Sequence, residues 1–289
     1  MRSLLFVPGH EPRKQAKGLE CGADALIVDL EDSVPDAEKP RARGVTAEFV
    51  AANRERLPLF VRVNALSTGM LLDDLAAVVR AQPYGIMLPK CMSGRDVAQV
   101  GAYLSALETR DGVPVGTLRI LPIVTEVAGA LFEMGSYARD AGPRLWGMLW
   151  GGEDLATDIG ASANRFEGAY TSQFQLARNL CLFGAAAAGA VAVDAVYTDF
   201  RDGEGLRTEA IAAAAAGFAA KAAIHPAQVS IINEAFTPSD EALRDAAAVV
   251  AAFAAQPTAG AVNIGGRMFD RPHLSAAQRV LARAARGSN

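Results

Sequence analysis

The chain has 289 residues, 51% hydrophobic and 21% charged, which is enough apolar material for a large core and a length that one α/β barrel commonly fills. A net charge of −4 leaves no basic footprint for nucleic acid or an anionic membrane surface, so an anionic ligand has to be met by local cations. The three cysteines, Cys21, Cys91 and Cys181, are scattered without a C-x-x-C pair, which argues against a disulfide framework or zinc site and for a reducing cytoplasm.

The opening M-R-S-L-L-F-V-P-G-H carries an apolar run that stops at Pro8 and Gly9, too short for a signal peptide. No stretch reaches the ~20 strongly apolar residues of a membrane span. From there, short apolar runs alternate with longer helical patterns. The runs at 3–7, 25–30, 59–63, 85–88, 120–125, 145–150, 193–197 and 222–224 predict eight strands. The stretches 39–53, 71–80, 95–107, 128–139, 173–188, 204–216 and 226–235 predict helices between and after them. Strand and helix in alternation predict an α/β fold, a single (β/α)8 TIM barrel over residues 1–236, with an open doubly wound sheet as the alternative. No G-x-G-x-x-G or G-x-x-x-x-G-K-[ST] follows a strand, which weakens nucleotide-binding readings. Residues 237–289 read as a C-terminal helical extension: a helix at 239–255, a Gly-rich link at 258–266, a mobile segment at 267–273, and a last helix at 275–286.

The polar residues that end the strands carry the chemistry. The second strand runs into Asp29-Leu30-Glu31-Asp32-Ser33; such crowded carboxylates repel unless a cation sits among them. Asp29 and Glu31 are expected behind metal-bound water, and Asp32 and Ser33 to cap the next helix. Arg62, in V-R-V-N with Asn64, sits in an apolar strand where an unpaired guanidinium is costly, so it must meet carboxylates or a ligand. Lys90 closes the fourth strand in G-I-M-L-P-K and is a candidate anion contact, the plain alternative being a solvated rim lysine. Glu126 ends the fifth strand, and Asp154 follows the sixth in W-G-G-E-D-L, where Gly151 and Gly152 leave room for a ligand. Glu153 is expected to point away or cap a helix. If the strands are parallel neighbours, Arg62, Glu126 and Asp154 meet on one rim as two hard oxygen ligands and a fixed cation, the requirement for a divalent metal holding an anionic substrate. A metal-free acid–base pair of the glycosidase kind is less suited, because the rim lacks aromatic platforms for sugars. His225, in A-I-H-P, is expected to tie its strand to neighbours, and no G-x-S-x-G elbow is present.

Seven motifs in order give the chain a resemblance to citrate lyase beta-subunit-like proteins of the aldolase/citrate lyase superfamily, whose relatives act on malyl-CoA and citramalyl-CoA. They are R-S-L-L-F-V-P-G (2–9), D-A-L-I-V-D-L-E-D-S-V (24–34), V-R-V-N (61–64), M-L-P-K (87–90), L-P-I-V-T-E (121–126), W-G-G-E-D-L-A (150–156) and G-F-A-A-K-A-A-I-H-P-A-Q-V (217–229). The resemblance implies a (β/α)8 barrel holding Mg²⁺ through Glu126 and Asp154, with Arg62 binding the 2-keto-acid and stabilising developing negative charge. It implies that Asp270, in G-R-M-F-D-R-P-H, moves the proton from a segment laid over a neighbouring subunit, and hence a homo-oligomer, a trimer or hexamer. The implied reaction is cleavage or formation of a 3-hydroxy-carboxyacyl thioester of citryl, malyl or citramalyl type, giving an acetyl thioester and a 2-keto-acid. A beta subunit acting on an acyl carrier protein and inert alone, or a thioester-hydrolysing relative, are the alternatives. Arg13, Lys14 and Lys17 are candidates for the phosphates of coenzyme A, with a solvated helix face as the plain reading. Val127 departs from the Ala usual after the metal-binding Glu in relatives.

Overall fold

The computed structural model describes residues 1–287, and its secondary structure follows the alternation in the sequence. The first half comprises β1 (Ser3–Pro8), α1 (Pro12–Glu20), β2 (Ala25–Asp29), α2 (Lys39–Asn53), β3 (Leu59–Arg62), α3 (Leu71–Val78), β4 (Gly85–Leu88), α4 (Gly94–Asp111) and β5 (Arg119–Pro122). Next come α5 (Ser136–Asp140), β6 (Gly147–Leu149), α6 (Glu153–Asp158), the two short strands β7 (Arg165–Phe166) and β8 (Ala169–Tyr170), α7 (Ser172–Ala187), β9 (Val191–Asp194), α8 (Gly203–Ala216), β10 (Ala220–Ala223) and α9 (Ala227–Phe236). The chain then adds α10 (Asp240–Ala255), β11 (Ala261–Ile264), β12 (Arg267–Asp270) and α11 (Arg271–Gly287).

Eight strands pair in parallel in the order β5-β4-β3-β2-β1-β10-β9-β6. Parallel bridges Ile120↔Leu145 and Ile123↔Leu149 bring β5 against β6, so the sheet closes into the expected TIM barrel. The strands are apolar on both faces because both are covered. Ile27, Phe60, Met87, Leu121 and Val193 fill the interior, whereas Leu26, Val28, Val61 and Ile86 face the helices. Phe60, Tyr84 and Trp146, with ring centroids 5.0 to 6.2 Å apart, plug the N-terminal end. Only the opposite mouth is left for a ligand.

One buried polar cluster escaped the sequence reading. Asp194 on β9 accepts bonds from Lys221 Nζ (2.8 Å), Arg178 Nε (2.9 Å) and Trp150 Nε1 (2.7 Å), and Lys221 Nζ also donates to Glu209 Oε1 (2.8 Å). These contacts fasten β6, α7, α8 and β10 to β9. Replacing Asp194 with Ala strips the buried Arg178 and an indole N–H of their acceptor and leaves Lys221 to Glu209 and Ala195 O, and the expected cost is about 3–5 kcal/mol. Urea denaturation at neutral pH measures it.

The extension has a small core of its own, built from Ala246, Val249, Phe253, Val262 and Ala277. The expected Gly-rich link and swinging segment form instead an antiparallel hairpin, with Ala261 opposite Asp270. Gly265 and Gly266 take φ of 58° and 82°, the left-handed pair a tight two-residue turn requires. Among the described residues, no helix is long and apolar enough to cross a membrane.

Candidate active site

The C-terminal strand ends form a cleft of about 450 Å³, and Arg62, Glu126 and Asp154 all line it. Parallel register puts Arg62 beside Asp29. Its Nε and Nη2 each donate to one Asp29 oxygen at 2.7 Å, a two-point fork. The backbone N–H groups of Glu31 and Ser33 donate to the same two oxygens at 2.9 and 3.0 Å. Four donors fill the acceptor positions of this carboxylate. Asp29 is therefore the anchor of Arg62. Burial alone would raise the Asp29 pKa, but Arg62 and the two N–H groups hold it below the usual carboxylate range.

Arg62 keeps Nη1 toward the mouth, 3.1 Å from Glu31 Oε2 and 3.5 Å from Asp32 Oδ2. Glu31 Oε1 accepts from Lys90 Nζ at 2.6 Å, while Glu31 Oε2 is buried without a hydrogen bond. Asp32 and Ser33 do not cap α2. That helix starts at Lys39 after a turn that Asp29 organises, leaving Asp32 exposed between Arg62 and Lys90. Lys39, unremarked in the sequence reading, shapes the turn by donating to Leu30 O, Glu31 O and Asn64 Oδ1. Asn64, expected beside Arg62 at the rim, is buried and donates to Asp74 and Leu30 O.

Lys90 takes a left-handed backbone, φ 51°, a conformation that costs a non-glycine residue about 1 kcal/mol or more. The turn directs its N–H at Glu126 Oε2 and leaves Nζ 3.5 Å from Asp154 Oδ1. Glu126 is 4% exposed. Burial, with the nearby charges of Asp154 and Glu31, pushes its carboxyl up to about 8 against the opposing Lys90 N–H. Thr125 Oγ1 accepts from Gly151 N–H at 2.9 Å and donates to Gly151 O at 3.0 Å, fixing β5 to the turn after β6. A Cβ on Gly151 would stand 3.0 Å from Glu126 Cγ, so only glycine leaves this carboxylate in place. Asp154 is on the first turn of α6, partly open to solvent. Glu153, at the helix start, accepts from Asn164 Nδ2 at 2.7 Å and still borders the cleft.

Five expected residues lie elsewhere. Asp270, at the end of β12, is half-exposed, bonded to His273 Nδ1, and is not among the residues lining the cleft. His225 stacks on Phe200, and its ring Nδ1 accepts the Ala227 N–H; Gln228, which takes the Ile224 and His225 N–H groups and donates to Tyr197 O, does the tying expected of His225. Arg13, Lys14 and Lys17 lie on the exposed face of α1, with Lys14 paired to Glu11 at 2.7 Å. The sequence reading also missed Tyr170. It borders the cleft edge-on to Trp150, centroids 4.9 Å apart, beneath the Arg165 guanidinium at 3.7 Å. Glu167-Gly168, with φ of 50° and 82°, is the turn signal that could have revealed its hairpin.

A parallel (β/α)8 barrel with carboxylates, an arginine and a lysine gathered at the C-terminal mouth has the plan of a barrel enzyme, since such enzymes work at that face. The chain belongs to the HpcH/HpaI aldolase/citrate lyase family, which matches residues 2–226. It is 37% identical over 281 residues to a citrate lyase subunit beta-like protein of Mycobacterium tuberculosis, covering 97% of this chain and 94% of the relative. It is 33% identical to the mitochondrial citramalyl-CoA lyase of Rattus norvegicus, covering 98% and 86% respectively. Among solved structures, the CitE protein of M. tuberculosis in complex with magnesium, acetoacetate and coenzyme A superposes with a TM-score of 0.80 at 35% identity, covering 98% of both chains.

Proposed function

We propose that the chain is a Mg²⁺-dependent carbon–carbon lyase that cleaves, or in reverse forms, a 3-hydroxy-carboxyacyl-CoA thioester, giving acetyl-CoA and a 2-keto-acid. The observation that carries this reading is the meeting of Arg62, Glu126 and Asp154 in one cleft. The residues suit the ion. Burial, with the charges of Asp154 and Glu31, raises the Glu126 carboxyl to about 8, and a divalent cation among these oxygens would favour its ionised form. Among the described residues, no three His, Cys, Asp or Glu side chains are grouped to hold a metal unaided. That suits Mg²⁺, which commonly takes one or two carboxylates and completes its shell with substrate and water oxygens. Glu126 and Asp154 would be the protein ligands.

The bound ion would polarise the carboxylate and adjoining oxygen of the keto-acid partner. Arg62, locked by Asp29, would present Nη1 to the carbinol oxygen as its proton passes to water and, as the carbon–carbon bond breaks, that oxygen becomes the carbonyl of the keto-acid. The electron pair passes to the thioester as an enolate, and protonation at its terminal carbon gives acetyl-CoA. Asp270 would deliver that proton from a second copy, because its own barrel does not bring it to the cleft; a homotrimer or hexamer follows. Free cysteines at 21, 91 and 181 fit a reducing compartment, and the cytoplasm is the proposed location.

The test is to incubate purified chain and Mg²⁺ with malyl-, citramalyl- and citryl-CoA, following keto-acid and free thiol separately. Keto-acid release without free thiol supports the lyase. Free thiol marks hydrolysis, and inertness until an acyl carrier protein is added marks a dependent beta subunit; either result overturns the proposal. Asp270→Asn is expected to lower turnover about a hundredfold or more while leaving calorimetric Mg²⁺ binding unchanged. Mixing this variant with an Arg62 variant should restore part of the activity if the residue acts across subunits.

A further inference from the structure

Asp154 sits on α6, a helix of six residues that follows Gly151-Gly152 and runs into a loop where Gly160 takes φ 69°. A helix that short has little stability of its own and takes its position from what flanks it. Leu155 is buried, and Asp158 accepts the Ala128 N–H at 2.7 Å, which fixes the middle and the end of α6. Its start is held from the foot of the β7–β8 hairpin. Asn164 Nδ2 donates to Glu153 Oε1 at 2.7 Å, and a Cβ on Gly152 would stand 3.4 Å from the same nitrogen. Asn164 O accepts the Thr171 N–H at 3.1 Å and closes the hairpin at its base.

The hairpin is tied to the barrel by charge. Arg165 Nη2 meets Glu209 on α8, Arg165 Nη1 donates to Gly168 O at 3.1 Å, and the guanidinium lies over the Tyr170 ring. Glu209 gives its other oxygen to Lys221 Nζ, Lys221 reaches Asp194, and Asp194 takes the Trp150 indole N–H. Trp150 meets Tyr170 edge-on, which closes the circuit. On the chain, Trp150 and the pair Arg165 and Tyr170 bracket the segment that carries Asp154.

We propose that Arg165 and Glu209 are positioning residues for the metal site: their bridge seats the hairpin on the barrel, and the hairpin holds the start of α6 so that Asp154 stays on the cleft with Glu126. The proposal rests on the reading of Glu126 and Asp154 as Mg²⁺ ligands and extends it to two residues that touch neither ion nor substrate. An exposed ion pair would be too weak and too loose for this task. Here the side chains of Arg165 and Glu209 are only 24% and 10% exposed, and the planar guanidinium is confined between a carboxylate and an aromatic face. Groups that orient a metal ligand from behind are commonly worth about ten- to a hundredfold in metal affinity.

Arg165→Met tests this on the full chain, because it removes the outer half of the bridge and leaves Glu209 to Lys221 and the Asp194 cluster whole. Calorimetry with Mg²⁺ alone is expected to show affinity lowered about tenfold or more. Amide exchange followed by mass spectrometry should show lost protection over residues 159–171 with the barrel strands unchanged. Turnover should fall at limiting Mg²⁺ and recover as Mg²⁺ is raised, a split that general unfolding does not produce. Arg165→Lys, which keeps a charge for Glu209, is expected to restore part of the affinity, and Glu209→Gln to act in the same direction as Arg165→Met. Unchanged Mg²⁺ affinity in Arg165→Met overturns the proposal, as does weakened affinity with residues 159–171 still fully protected. A wild-type chain that binds no Mg²⁺ overturns the metal-site reading itself, and the proposal with it.

Discussion

Arg62→Met is expected to lower kcat/KM by about a thousandfold or more and also to destabilise the fold by about 3–5 kcal/mol at neutral pH. The two losses have different origins. Asp29 is fully buried beside Arg62, and the guanidinium fork supplies two of its four hydrogen bonds. Deleting the fork leaves a carboxylate in the barrel with only the Glu31 and Ser33 N–H groups. In the intact protein the Asp29 pKa is depressed, Arg62 outweighing burial. Its stabilising contribution is thus present above the unfolded pKa and lost only as pH falls through the folded one. In the variant only the two N–H groups oppose burial, the depression is lost, and the gap in urea stability between the two proteins should widen as pH rises from about 4. The double variant Asp29→Asn/Arg62→Met removes the stranded charge and should recover most of the stability with none of the activity. Arg62→Lys should stay inactive, because one ammonium cannot both hold Asp29 at two points and present a third donor to the mouth. An Arg62→Met enzyme that keeps its rate would remove the arginine from the chemistry.

The barrel was legible because each of its strands is a short, doubly buried apolar run, and such runs stand out against amphipathic helices. Strand ends shifted by a few residues, as at 220–223 against the expected 222–224, without changing the topology. Arg62, Glu126 and Asp154 were legible for the complementary reason: a charge at the end of an apolar run has no packing role. What stayed hidden depended on pairing across the fold. Nothing in V-D-A-V announces that Asp194 gathers Lys221, Arg178 and Trp150, and nothing in E-K-P announces that Lys39 ties three carbonyl oxygens around Glu31 and Asn64. Local chemistry misled where a longer-range contact was stronger. Asp32 and Ser33 have the composition of a helix cap, but Asp29 takes the Ser33 N–H and Arg62 draws Asp32 to the mouth. At residues 258–266 the glycines suggested a link, yet Val262 pairs with Phe269 across the turn and both pack into the core of the extension.

Glu126→Gln should abolish Mg²⁺ binding and yet make the metal-free protein more stable, an opposition that a merely structural carboxylate would not produce. Glu126 is buried among carboxylates, and its pKa is raised to about 8. A folded-state pKa above the unfolded value means that the native protein holds a proton the unfolded chain has given up between about pH 4.5 and 8. Stability from this group is therefore complete at acid pH and drains away as pH rises through that window. Gln, neutral throughout, escapes the loss while its side-chain oxygen can still accept the Lys90 N–H. The expected gain is roughly 3 kcal/mol at pH 7, read as a shift in urea midpoint without added metal. Metal binding has the opposite dependence, because the ligand must be ionised and each ion bound displaces a proton. Wild-type affinity for Mg²⁺ should rise roughly fiftyfold from pH 6 to 8 and flatten above, with proton release visible as a dependence of the calorimetric heat on buffer ionisation enthalpy. Asp154, partly open to solvent, should also lose the metal when changed to Asn. A wild-type affinity that is flat across this range, or a Glu126→Gln protein that still takes up the ion, would place the metal elsewhere.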